Sequence, residues 1–93
     1  MDTIGLKLVS GEEIIARLIS TDSHKYVVER PRSLVPRQIG NQFTIGLIPW
    51  IISAEETASF EIDKDKVVAT FVPMGDVEKE FLQQTSGIQL VTG

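Results

Sequence analysis

Apolar and polar residues alternate with a period of two from Ile4 to Val9, and again from Ile14 to Ile19. Such alternation puts successive side chains on opposite faces of an extended strand. In the first segment Ile4, Leu6 and Leu8 share one face, with Gly5, Lys7 and Val9 opposite. Ser10-Gly11 between the segments predicts a tight turn, in which glycine supplies the positive φ that such turns often need. The second segment is apolar on both faces: Ile14, Ala16 and Leu18 on one, Ile15 and Ile19 beside Arg17 on the other. This predicts a strand covered on both sides, or one bent so that each half buries a different face.

The connector Asp22–Lys25 leads to a third strand at Tyr26–Glu29, which Pro31 ends or confines to a sheet edge. Residues 30–42 hold two prolines, a glycine and an asparagine, and read as a long connection or an irregular hairpin. A fourth strand is expected over Phe43–Ile52, bent at Pro49-Trp50, followed by a solvated loop over Ser53–Ser59. Phe60–Ile62 and Val67–Val72 read as a hairpin around Asp63–Lys66. One helix is predicted over Asp76–Ser86, capped by Asp76, favoured by Glu78 in its first turn and stopped at Gly87. Its apolar stripe is Val77, Phe81 and Leu82. The last six residues alternate again and could add a strand, dock on a neighbouring subunit or stay loose. Short strands in series with one helix point to a mainly β domain built as a small barrel.

Composition narrows this picture. Ninety-three residues make one domain whose single core is marginal. There is no cysteine, which excludes disulfides and thiolate metal sites, and a small domain without such staples often gains burial by oligomerising. The net charge of −4 argues against non-specific binding to nucleic acid or anionic membrane over the whole surface, while leaving room for a local basic patch. The longest apolar run, Ile45–Ile52, is too short to span a bilayer. Met1–Gly5 lacks the start of a signal peptide, so a soluble cytoplasmic protein with no membrane span is expected.

Gly11 in the first turn, Leu18 in the second strand and Asp22 at its end match the first motif of the Sm-like (Lsm) proteins. The order of elements also resembles that family over residues 4–30, and more weakly through Val72. The texture of the chain, including the Thr85-Ser86-Gly87-Ile88 run, is similar to the divergent Sm-like proteins of cyanobacterial phages. Ala16 stands where the family places a strand-bending glycine, and Tyr26 where it places a base-contacting asparagine. The family's Arg-Gly pair is absent, and Val67–Val72 carries only the apolar part of that second motif.

The resemblance implies a small, strongly bent five-stranded Sm-like (SH3-like) barrel over about residues 3–73, followed here by the C-terminal helix over 76–86 and a tail over 87–93. It also implies a homo-oligomeric ring, pentamer to heptamer, joined by pairing between edge strands. Single-stranded RNA would be the partner, in the host cytoplasm if the chain is phage-encoded. The alternative is a structural or protein-interaction oligomer of phage origin that has lost nucleic-acid binding. An SH3-like monomer is a further possibility.

Candidate chemistry centres on a basic segment. Lys25, Arg30, Arg32 and Arg37 fall within thirteen residues and are four of the nine cations. Repeated around a ring they would form a positive annulus for phosphates. Tyr26, with His24 nearby, offers a planar face for a base. The bland reading is a solvated loop beside a core tyrosine. Asp22 belongs to the nucleotide pocket by resemblance, whereas an aspartate after a strand more often makes a local turn hydrogen bond. The candidate RNA-binding set is therefore Asp22, His24, Lys25, Tyr26, Arg30, Arg32 and Arg37.

No catalytic residue, metal ligand or cofactor is expected. HExxH, EF-hand and Gly-rich phosphate motifs are lacking. Asp22, Ser23 and His24 are neighbours in an extended segment and point apart, unlike a triad. Trp50 is expected as a core or interface anchor.

Overall fold

The computed structural model describes residues 2–86. It has six antiparallel strands and one helix: β1 (Asp2–Leu8), β2 (Glu13–Thr21), β3 (Lys25–Ile39), β4 (Gln42–Pro49), β5 (Ser59–Asp63), β6 (Val67–Phe71) and α1 (Gly75–Thr85). The sheet runs β4-β3-β2-β1-β6, with β5 also paired to β3. The mainly β class with a C-terminal helix is thus observed, with one strand more than the five expected. The expected tail over 87–93, with the helix stop at Gly87, lies outside the described residues.

Gly11 has φ +96° and its N–H closes the first turn on the Leu8 carbonyl at 2.9 Å, as the alternating pattern predicts. β2 is covered on both faces. Ile14 and Ala16 join Leu6, Leu8, Val28 and Ile62 in the main core, onto which Trp50 and Phe60 pack. Ile15, on the opposite face, meets Leu47, Val77 and Phe81 in a second cluster under α1. Gly5 pairs with Phe71 across β1 and β6, and the phenyl ring lies where a β-carbon on Gly5 would stand, 2.4 Å away.

The largest departure from expectation is β3. Residues 30–42 are not a connection: the strand continues through both prolines to Ile39, and a turn at Gly40 (φ +61°) leads directly into β4. Both prolines sit where the ladder tolerates them. The register passes from Arg17↔Glu29 to Ile15↔Arg32, so Arg30 and Pro31 together face Ala16 in a bulge. Pro36 lies beyond Ser33, the last β3 residue paired with β2, where β3 has only β4 beside it. At this bulge opposite Ala16, Arg30 takes φ +53°.

β5 and β4 share one edge of β3 end to end, β5 along Lys25–Glu29 and β4 along Arg32–Ile39. β5 and β6 are not the hairpin that their spacing suggests. Asp63 caps a three-residue 3-10 turn between them, and each strand pairs elsewhere, β5 with β3 and β6 with β1. The sheet therefore curls until its ends are joined by that turn, without a ladder closing it.

α1 starts one residue earlier than expected. Met74 is its N-cap and Asp76 lies in the first turn, making no cap bond. Its buried stripe is Val77, Phe81 and Thr85, while Leu82 stays 43% exposed. Thr85 is buried because its hydroxyl donates to the Phe81 carbonyl at 2.8 Å, satisfying it within the helix.

Candidate nucleic-acid interface

The seven candidate residues do not form one surface. They separate into a corner made by two turns, a cluster under the end of α1, and a single arginine on the β3–β4 arm.

Asp22, His24, Lys25 and Tyr26 occupy the first place. Asp22 Oδ1 accepts the backbone N–H groups of His24 (2.7 Å) and Lys25 (2.9 Å), which makes it the anchor of the β2–β3 turn. Those two bonds hold the Asp22 carboxyl below its ordinary value, since they favour the ionised form. The turn meets the 3-10 turn that follows β5: Lys64 N–H donates to the His24 carbonyl at 2.8 Å, and Lys64 Nζ sits 4.9 Å from the centre of the Tyr26 ring. Sequence reasoning missed Lys64, which is 38 positions from Tyr26 and has no motif to announce it. Its proximity follows only from Tyr26↔Ile62 pairing.

Charge at this corner is balanced rather than positive. Lys25 pairs with Glu61 at 3.3 Å. Lys25, Lys64 and Lys66 stand among Asp22, Glu61, Asp63 and Asp65 in the two turns and the strands that enter them. Cation–π attraction of this exposed kind is worth about 0.5–1 kcal/mol. Tyr26 is half-buried, with part of its ring in the main core.

Arg30 and Arg32 lie elsewhere, against the last turn of α1. Arg30 Nη1 donates to the Thr85 carbonyl at 2.7 Å and lies 3.6 Å from Glu56 Oε2. Arg32 Nη2 donates to the same carboxylate oxygen at 3.0 Å, and its Nε donates to Gln84 Oε1 at 3.2 Å. The Arg32 side chain is only 8% exposed. α1 has no basic residue in its own last turn, so Arg30 is the cation at its C-terminus. These two arginines hold the helix and the loop bearing Glu56, and are not a solvated patch.

Arg37 is alone on the exposed arm. Its side chain lies over Gly46, where an added β-carbon would come within 2.8 Å of Nε.

Trp50 packs on the main core. It packs edge-to-face on Phe60 with ring centres 6.2 Å apart, and its indole N–H donates to Glu12 Oε1 at 3.3 Å. Among the described residues no group of three or more His, Cys, Asp or Glu side chains is placed to hold a metal ion. No helix among them is long and apolar enough to cross a membrane. Neither the protein-family models nor the curated proteins contain a match to this chain.

Proposed function

We propose that this chain is a Sm-like barrel that assembles as a homo-oligomeric ring and serves as a non-catalytic protein-interaction module. The observation that carries the reading is the pair of strands on either side of the 3-10 turn. Among the described residues β5 pairs only with β3 and β6 only with β1, so each keeps an edge that no described strand covers. β6 has no charged residue and no proline, the usual guards of an exposed edge, and Val68 on it is 62% exposed. β6 of one copy pairing with β5 of the next is a head-to-tail contact, the kind that forms a ring when the rotation between copies completes a circle.

Absolute mass by light scattering after size exclusion tests this. A discrete multimer of five to seven copies is expected, and Val68→Asp should shift it towards the protomer. A monomer near 10.3 kDa overturns the ring.

Single-stranded RNA is the second reading, favoured by one observation: the two turns that bring Tyr26 and Lys64 together. On this reading the corner binds, and Arg30 and Arg32 do not touch RNA. Lys25→Ala with Lys64→Ala should then lower affinity for a labelled single-stranded RNA and flatten its salt dependence, as fewer counterions are released. The absence of saturable binding by the parent protein at moderate salt leaves the interaction module alone. Balanced charge at the corner is why that module leads.

A further inference from the structure

We infer that Arg30 and Arg32 form a phosphate-binding site which Glu56 occupies as an internal competitor. The bulge in β3 turns both side chains to the same side, against a cavity of about 160 Å³ lined also by Pro49, Ile51, Glu55 and Phe60. Nη1 makes both of the Arg30 contacts, one to Thr85 and one to Glu56. The other edge of that guanidinium, Nε with Nη2, is the fork that takes an oxyanion through two parallel bonds. Nε is buried and has no hydrogen-bond partner among the described residues. A buried, charged donor left in this way is costly and calls for an acceptor.

Glu56 does not supply one. Its Oε2 reaches Arg32 Nη2 at 3.0 Å and Arg30 Nη1 at 3.6 Å, and it makes no hydrogen bond to Arg30 Nε. With Oε2 on Arg32, the Glu56 carboxylate leaves Arg30 Nε unserved. A phosphate has more oxygens, set at tetrahedral angles, with which to meet both arginines that line the cavity. Glu56 is half-exposed on the loop between β4 and β5, so it can swing into solvent as the phosphate enters. Two charges oppose the ligand, the exposed Glu55 and the carbonyl end of α1, and Arg30 already offsets the second.

The site does not depend on assembly into a ring, so it can fail or stand apart from that reading. The Arg30 Nε–H is itself observable by ¹⁵N-resolved NMR, and Arg30→Lys identifies its resonance by loss. Inorganic phosphate is titrated with ionic strength held constant by chloride. A saturable shift of that resonance is expected, and Glu56→Gln should saturate at about tenfold lower phosphate, since one like charge near the ligand is gone.

No saturable shift in either protein overturns the site, and an equal response to acetate overturns its identification with phosphate. If Arg30→Lys does not fold, the comparison of the parent with Glu56→Gln still decides. A short single-stranded RNA that moves the resonance at lower concentration than phosphate identifies a nucleic-acid backbone as the source. A response to inorganic phosphate alone identifies the free ion.

Discussion

Arg30 Nη1 donates to the carbonyl of Thr85 at 2.7 Å, across 55 residues of chain, and so ties the bulge of β3 to the last turn of α1. Arg30 makes this bond from an uncommon backbone, with φ +53°.

Strain and clamp can be separated by substitution. Arg30→Ala loses the bond to the helix end but keeps the left-handed backbone, and should cost about 1–3 kcal/mol. Arg30→Gly loses the same bond but adopts this φ freely, so it should be more stable than Arg30→Ala by about 1 kcal/mol. Urea midpoints at equal m-values rank the two. The reverse order would mean that residue 30 is not left-handed in solution.

Gly5 is held by space rather than by φ. A β-carbon there would stand 2.4 Å from the Phe71 ring, so Gly5→Ala should destabilise by about 1–3 kcal/mol through overpacking. Phe71→Leu in the same chain should recover part of that loss, and a double-mutant cycle would read the coupling. Additive effects would show that the ring is not seated on Gly5.

The second core gives a contrast between adjacent helix residues. Phe81 is fully buried and Leu82 is 43% exposed. Phe81→Ala should cost about 3–5 kcal/mol, whereas Leu82→Ala should stay within about 0.5 kcal/mol of the parent. Thermal and urea unfolding would both report it. Equal losses would place α1 in a different rotation.

Asp22 makes stability depend on pH. Its folded pKa lies below the ordinary 3.8 because His24 and Lys25 donate backbone hydrogen bonds to the ionised carboxylate. Ionised Asp22 therefore adds stability above the unfolded value, and that part is lost as pH falls through the folded pKa. Asp22→Asn keeps an acceptor oxygen but not the charge. Its deficit against the parent should narrow steadily as pH is lowered past 3.8. A deficit constant across that range would show that charge plays no part in the turn.

How far the chain could be read depends on where its information lies. The turn at Gly11, the two-sided burial of β2 and the stripe of Val77 and Phe81 were legible because each is written in neighbouring residues. β3 was not. Arg30–Gln42 carries the prolines, charges and glycine of a loop, and only the partners of β3 show that Pro31 falls in a bulge and Pro36 beyond the cover of β2. The site residues divide in the same way. Asp22 as a turn anchor follows from its place after a strand. The burial of Arg32, and the approach of Lys64 to Tyr26, depend on contacts made by residues far along the chain. A cluster of cations in sequence became separate places in space because successive residues of a bent strand face different neighbours.

The pairing of β1 with β6 has a consequence for synthesis. β1 finds its outer neighbour only when Phe71 has emerged from the ribosome, and the second core waits further for Phe81 and Thr85. Until then Leu6, Leu8 and Ile14 border an incomplete core. The β3–β4 ribbon, made of adjacent segments, can form early, whereas the β1–β6 ladder requires a long loop to close. The nascent chain thus stays open on the side where β6 belongs until Val67–Phe71 has been made. A chain truncated before Val67 should therefore be a substrate for chaperones rather than a smaller stable fold.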